Sequence, residues 1–294
     1  MLQAPVPAGI RPGTKRSAWT LSPAAMAVLS FRTKTVTRLI SDGDIISESA
    51  MWIGRDLAGQ FHRLQSSFRW RPFTLVEGSS ALSLTSSRAA LTLSRLARAG
   101  WIVRIARGRY VALDPSWALG GGSTARLEPY RSQPFFPTLC VAASGATQLL
   151  GTRLRSLAFF GSCARFEYSA ESDLDVLLLV DPVSPRASSR LSELEPVSSE
   201  CLVLARGIER DGGGFHVPQF VTLSRSELNS EPPLLLDLTQ DAVALYDPDG
   251  ALEKALERLR EKLNRRRAQR VSQGDGPPYW ILDPAATLGA LGEL

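Results

Sequence analysis

Residues 159–181 read FFGSCARFEYSAESDLDVLLLVD. A Gly-Ser pair ends one apolar run, Leu154 to Phe160, and two aspartates one residue apart open a second, Leu174 to Val180. Both runs have the length and composition of buried β-strands. Gly161 permits a tight turn and a close approach of backbone. Ser162 then stands at a predicted helix N-terminus, where unpaired N–H groups and a hydroxyl favour phosphate oxygens. Side chains at i and i+2 of a strand point the same way, so Asp173 and Asp175 face one side while Leu174 and Val176 face the other. Two carboxylates facing a phosphate-binding turn make an oxygen-rich site suited to Mg²⁺. Taken singly these signals are weak, because Gly-Ser turns are common and Asp-x-Asp at a strand end is usually a solvated edge.

Around this stretch the chain alternates helical and β-prone segments. Leu139 to Leu150 reads as a helix, and Cys201 to Ala205 and Val217 to Leu223 read as further strands, with a Ser- and Pro-rich loop before them. Strands mixed with helices and joined by short turns indicate an α/β or α+β layer rather than a barrel. Ala251 to Arg267 closes the pattern as a helix whose Leu252, Leu256, Leu259 and Leu263 form one packing face. Its basic end, NRRRAQR, reads as a solvated terminus.

Upstream, SSALSLTSSRAALTLSRLARAG offers small polar residues at a helix start, then Ala89, Leu93, Leu96 and Ala97 at helical spacing and Gly100 as a stop. WIVRIA and RYVAL follow, joined by Arg107-Gly108, and read as a hairpin. Helix, glycine stop and hairpin is the order of a winged helix-turn-helix, whose second helix enters the DNA major groove. Arg88, Thr92 and Arg95 are its expected exposed helix positions, and Arg104, Arg107 and Arg109 lie on the expected wing. Such arginines supply phosphate contacts. The plainer alternative is a docking module with solvated arginines.

The 294 residues suffice for two cores. A net charge of +5 suits a polyanionic partner without identifying one. Residues 1–40 are rich in Ser, Thr, Ala and Arg and lack acids, a pattern also found in transit peptides. The reading preferred here is a disordered extension or an upstream start. Cys140, Cys163 and Cys201 form no CxxC pair, which argues against a zinc site and for a reducing, cytoplasmic compartment. His62 and His216 have no metal-ligand spacing, and no apolar run is long enough for a membrane span.

In order, the pattern strand, Gly-Ser, ten residues, Asp-x-Asp, strand resembles the DNA polymerase beta-like nucleotidyltransferase superfamily, in its minimal nucleotidyltransferase branch. FGSCAR looks like that family's FGSxARG, and SDLDVLLLV looks like its SDxDLLV. The resemblance is strong across 157–181, extends over about 73–290, and includes the region EPPLLLDLTQDAVALYD. It implies an α+β chain: a basic, partly disordered extension over 1–70, a winged helix-turn-helix over 71–115 and a linker over 116–136. A nucleotidyltransferase domain would follow over 137–250, then a C-terminal helix and tail over 251–294. It further implies that Gly161, Ser162 and Arg165 bind the nucleotide, that Asp173 and Asp175 are catalytic and hold Mg²⁺, and that the substrate is an NTP, foremost ATP. The acceptor would be a hydroxyl of protein, RNA or a small molecule. One implied partner is a HEPN-type toxin that an antitoxin of this branch adenylylates, with DNA held by the winged helix. Two departures stand out. Phe166 replaces the glycine after the arginine, and Gln219 occupies the expected place of a third carboxylate, for which Asp237 or Asp241 could substitute. The alternative is a DNA-binding regulator whose transferase fold has lost turnover.

Overall fold

The computed structural model describes residues 54–115, 117, 124–271 and 279–284, all inside one unit, Ser49–Leu294. The expectations for residues 1–53, including the basic extension's first part, lie outside the described residues.

Helix α1 (Arg55–Phe68) leads to a short strand, β1 (Phe73–Thr74). Thr74 begins α2 (Leu75–Leu82) with a reciprocal cap: its hydroxyl accepts from Glu77 N at 3.2 Å, and Glu77 Oε2 accepts from Thr74 N at 2.7 Å. This arrangement satisfies two first-turn donors at once. Ser83, in the left-handed conformation, ends α2, and α3 (Ser86–Arg98) follows three residues later. The stretch expected to start one helix therefore forms two. Gly100, at φ 69°, ends α3 and admits the hairpin β2 (Ile102–Ala106) and β3 (Arg109–Ala112), with Gly108 at φ 70° in its turn. β3 lies between β1 and β2. Ala89, Leu93 and Leu96 are buried, and the last two share a core with Phe61 and Leu64 of α1. Residues 55–68, which the sequence reading assigned to the extension, thus pack into this module.

The base of the hairpin is buried on both faces, and its tip is exposed. Ile102 and Ala112 join the helices just described, whereas Val103, Ile105, Val111 and Leu113 pack with α4 (Phe136–Leu150). Ser144 Oγ of α4 donates to Ala112 O at 2.7 Å. The stretch expected as a linker contributes core residues where it is described. Trp117, Leu127, Tyr130 and Phe135 are all buried, two of them in a 3-10 helix over Thr124–Tyr130.

The remaining chain is a four-stranded sheet with helices on both sides. β4 (Leu154–Phe160) turns into the five-residue α5 (Gly161–Arg165), and β5 (Leu174–Val180) returns antiparallel to β4. α6 (Ala187–Arg210) crosses to β6 (Pro218–Leu223), which pairs parallel with β5. After α7 (Arg225–Asn229) and α8 (Leu234–Asp241), β7 (Val243–Tyr246) joins β4, giving the order β6-β5-β4-β7. α9 (Ala251–Arg266) and the paired strands β8 (Gln269–Val271) and β9 (Tyr279–Ile281) complete the described chain. The architecture is α+β.

Strand alternation assigns the two faces. Leu174, Val176, Leu178 and Val180 pack with α4 and α6, while Leu177 and Leu179 pack with α8 and α9. Cys201 to Ala205 is helix, not the strand expected from its apolar composition. Leu194, Val197, Cys201 and Ala205 are buried at helical spacing on α6. Gly145 of α4 allows α6 to come close, since a Cβ there would stand 2.6 Å from Val197 Cγ1. Among the described residues no helix is long and apolar enough to cross a membrane.

Candidate functional site

The face of β5 that carries Leu177 and Leu179 continues outward to Asp175 and Asp173, past the edge of the apolar core. Asp175 pairs in register with Phe160, the last residue of β4, so the carboxylate lies beside the turn that follows. Gly161 adopts φ 78°, and a Cβ on it would collide with Asp175 Oδ2. Only glycine serves both demands at this position: a left-handed backbone and a carboxylate against its Cα. Asp175 is half-buried and Asp173 exposed. Burial pushes the Asp175 carboxyl above its ordinary range, and the charges of Asp173 and Asp241 push it further against the pull of Arg165. Cys163, buried on α5, has its thiol pushed up to about 12 by burial and by the same two aspartates, Asp175 and Asp173. Turn and acid pair are therefore one cluster.

α5 has only five residues and its first is Gly161, so Ser162 lies inside the first turn rather than ahead of it. The dipole of so short a helix is small. What the turn presents is the set of first-turn amides that lack intrahelical acceptors, with the Ser162 hydroxyl among them.

Arg165 is clamped. Its Nε donates to Glu167 Oε2 at 2.7 Å, and its Nη1 forms an ion pair with Asp241 Oδ2 at the end of α8. The Asp241 side chain is 2% exposed, and its Oδ1 is buried without a hydrogen-bond partner. Burial raises the Asp241 carboxyl, with Arg165 opposing. Asp237 is engaged elsewhere: it accepts from Trp280 Nε1 at 3.1 Å and lies 3.5 Å from Arg270 Nε. Of the two suggested substitutes, Asp241 is the one whose charge acts on Asp175. Gln219 stands in register with Asp175 on β6 and is exposed. Its amide can ligate but cannot take a proton.

The loop before the acids is held from β6. His216 Nδ1 lies 2.7 Å from Ser172 O, Phe215 N donates to Ala170 O at 2.7 Å, and Leu174 N donates to Val217 O at 2.9 Å. His216 is buried between Phe135 and Tyr168, a structural position that neither motif nor spacing signals.

Phe166, where the resembled family has glycine, is left-handed at φ 62° and ψ 26° and 49% exposed. Its ring stacks on Tyr130, with centroids 4.7 Å apart and planes 7° apart. Tyr130 is fixed by its hydroxyl, which donates to Ala164 O at 2.9 Å, and by the edge of Phe159. A left-handed non-glycine residue costs about 1 kcal/mol, and an aromatic pair returns about as much. For stability the exchange is close to neutral.

Among the described residues no group of three or more His, Cys, Asp or Glu side chains is gathered so as to hold a metal ion. The donor set is the Asp173–Asp175 pair. That set fits Mg²⁺, which is commonly held by one or two carboxylates with phosphate oxygens and water completing the octahedron. The Asp175 carboxyl is raised first by burial and then by the charges of Asp173 and Asp241, and a cation beside the pair would relieve the second of these.

The basic residues of the N-terminal module divide. Arg88 and Arg95 on α3 and Arg104, Arg107 and Arg109 on the hairpin are exposed, as expected. Thr92 is not: it is 8% exposed and turned toward the helical core, one position from the outward-facing Leu91. Arg98 and Arg131 were not singled out in sequence, yet they line one groove with Arg104 and Arg107. Arg98 could have been found from its place in the last turn of α3, whereas Arg131 arrives through tertiary packing and has no local signal.

The chain matches no protein-family profile and no curated protein. Among solved structures it is similar to a crystal structure of a toxin-antitoxin with AMP-PNP, at 15% identity and a TM-score of 0.26, over 42% of this chain and 90% of that one. A superposition this loose does not define a shared fold.

Proposed function

We propose that this chain is a Mg²⁺-dependent nucleotidyltransferase that moves a nucleoside monophosphate from an NTP, foremost ATP, to an acceptor hydroxyl. The observation that carries the reading is the contact between the Gly161 turn and Asp175 on the neighbouring strand, where a single methyl group would not fit. In this reading the first-turn amides and Ser162 receive the β- and γ-phosphates. Arg165, held by Glu167 and Asp241, offers its remaining donor capacity to the same tail. Asp173 and Asp175 hold the cation, whose chemistry is to neutralise the triphosphate and acidify the acceptor hydroxyl. The acceptor hydroxyl gives up its proton to solvent as its oxygen bonds to the α-phosphorus, the bond from that phosphorus to the bridging oxygen breaks, and pyrophosphate departs. Positioning and charge neutralisation are most of what such a transfer requires.

The N-terminal module is proposed as a winged helix-turn-helix, with α3 as the DNA-facing helix. Arg88, Arg95, Arg104, Arg107 and Arg109 are its phosphate contacts, and Thr92 is withdrawn from that set. A protein acceptor such as a HEPN-type toxin fits an antitoxin role, with the module on its own operator. A second reading is favoured by Gln219: with an amide in register with Asp175, the chain would bind Mg²⁺·NTP and DNA as a regulator without transfer.

Incubation with each labelled NTP, Mg²⁺ and cell extract separates the two. Label transfer that Asp173→Ala and Asp175→Ala both abolish supports the enzyme. Calorimetric Mg²⁺·NTP uptake and DNA binding without transfer supports the regulator. No Mg²⁺·NTP uptake by the native chain refutes both.

A further inference from the structure

Arg98, Arg104, Arg107 and Arg131 line one groove of about 690 Å³, although they come from three separate parts of the chain. Arg98 ends α3, Arg104 and Arg107 belong to the hairpin, and Arg131 follows the 3-10 helix, outside the N-terminal module. All four are exposed. The one acid among the described lining residues, Glu128, is taken up by Arg131 at 3.1 Å, and among the described residues no carboxylate pairs with Arg98, Arg104 or Arg107. Like charges gathered without counter-charges work against the folded chain, and a bound polyanion removes that repulsion. Two of the guanidinium groups are also oriented: Arg104 Nε donates to Ala106 O at 3.3 Å, and Arg131 is held by Glu128. Between the arginines the floor is low, because Ser94, Ala97 and Gly100 are small, and one wall carries Tyr110. The Tyr110 ring is backed by Phe73, with centroids 5.9 Å apart. Arg88 and Arg95, the duplex contacts proposed on α3, do not line this groove.

We propose that this groove seats the sugar-phosphate backbone of a single nucleic-acid strand, RNA or DNA, and that Arg131 contacts the strand from outside the N-terminal module. A positively charged groove that also offers an aromatic ring is what single strands require, the charges for successive phosphates and the ring for a base. Guanidinium forks match phosphate oxygens in pairs. A duplex is read differently, by an exposed helix laid into its major groove, and the concave floor between α3 and the hairpin is not such a face. An acidic peptide would meet the same charges but would leave Tyr110 without a role. The inference goes beyond the duplex contacts proposed above and does not rest on the transferase reading.

Fluorescence anisotropy on the full chain tests this, with labelled oligouridylate, oligothymidylate and a mixed-sequence duplex across a salt series, and with polyglutamate as competitor. The variants are Arg98→Gln, Arg131→Gln, Arg131→Lys and, on the outer face of α3, Arg88→Gln. Thermal melting checks each fold; all four positions are exposed, so the fold should hold. Arg98→Gln and Arg131→Gln should each weaken strand binding about tenfold, the size of one charge-assisted contact, and each should flatten its salt dependence by about 0.7 in slope. Arg131→Lys should keep the native slope, because the charge remains. Arg88→Gln should leave strand binding unchanged, and Arg131→Gln should leave duplex binding unchanged. The tighter of the two oligonucleotides identifies the strand as RNA or DNA, and either result supports the groove. Strand binding that ignores both Arg98→Gln and Arg131→Gln overturns the proposal, as does a native chain that binds neither oligonucleotide. Duplex binding that falls with Arg131→Gln as far as strand binding does overturns the single-strand assignment. Polyglutamate that displaces the strand at equal charge concentration makes the occupant an acidic peptide and overturns it too. None of these results bears on Mg²⁺·NTP uptake at the Gly161 turn, so the two readings fail separately.

Discussion

The ion pair between Arg165 and Asp241 predicts an asymmetry that depends on which partner is removed. Asp241 is enclosed, with its side chain 2% exposed and one oxygen already unpartnered, whereas Arg165 is 28% exposed and keeps Glu167 as a second partner. Arg165→Met leaves a buried carboxylate, whose charge already acts on Asp175, without its hydrogen-bonded cation and with Arg270 acting on it through charge alone. Stranding one member of a buried pair costs about 3–5 kcal/mol, which in a domain of this size lowers Tm by roughly 10 °C. Asp241→Asn leaves a guanidinium that reaches water and Glu167, so its cost falls toward the value of a partly exposed pair, about 1 kcal/mol. The pH dependence separates the variants further. Burial already raises the Asp241 carboxyl above its unfolded value, and loss of Arg165 raises it more. An acid raised in the folded state binds protons preferentially there, so stability grows as pH falls. Arg165→Met should therefore recover stability between neutral and mildly acid pH, and Asp241→Asn should not. Urea unfolding of both variants and the double variant at pH 7 and pH 5 measures this. Equal losses at pH 7, or a larger loss in Asp241→Asn, would refute the reasoning.

Asp175→Asn should raise the Tm of the ligand-free chain near neutral pH, because a raised acid contributes stability at low pH that is lost as pH rises through its folded value. The same variant should lose Mg²⁺·ATP uptake, and melting with and without ligand reads both effects. Gly161→Ala combines a positive φ with a collision at Asp175, so it should cost more than the roughly 1 kcal/mol of the backbone alone and abolish nucleotide uptake in calorimetry. Glu227, gripped by both Nη atoms of Arg190 at 3.0 Å, caps α7 and has its carboxyl pulled down to about 2, chiefly by Arg190. Its contribution is present above the unfolded value and lost as pH falls through the folded one. Acid titration of stability should thus show Glu227→Gln losing less than the native chain between about pH 4.5 and pH 2. Charge reversal of Arg104 and Arg107 together should weaken DNA binding and flatten its salt dependence by about 0.9 in slope per lost phosphate contact, as fluorescence anisotropy across a salt series would record.

What could be read from sequence follows from how local each signal is. β4 and β5 were legible to the residue because their apolar runs are bounded by Gly161 and by Asp173 and Asp175. The α9 face was legible because Leu252, Leu256, Leu259 and Leu263 repeat at helical spacing, and all four are buried. Cys201 to Ala205 misled, since five apolar residues match a strand and a helix equally. The deciding signal was longer, Leu194, Val197, Cys201 and Ala205, and ran through Pro196. The stretch around Trp117 and Tyr130 misled in the opposite sense: glycine and proline punctuation suggested a linker, while its aromatic residues supply core. Thr92 was assigned outward by counting along one helix, yet it is buried, as are the neighbouring Leu93 and Leu96. Asp241 could be named but not chosen over Asp237, because the choice depends on where α8 ends relative to Arg165.

The charges around the turn bear on the amide that the proposed site carries on β6. Asp173, Asp175 and Asp241 are three carboxylates; Arg165 acts on the last two, and Arg270, which also acts on Asp241, is offset by its own partner Asp237. Glu167 is largely in water, and its charge is screened. The cluster is left with two negative charges in excess, the amount that one divalent ion neutralises. Under the nucleotide reading proposed above, this field would repel a bare triphosphate and accept one that arrives with its cation. A carboxylate in place of Gln219, in register with Asp175, would add a third negative charge to a group already raised by its neighbours. Under the same reading an amide there keeps an oxygen donor, omits the charge and gives up a proton acceptor on β6.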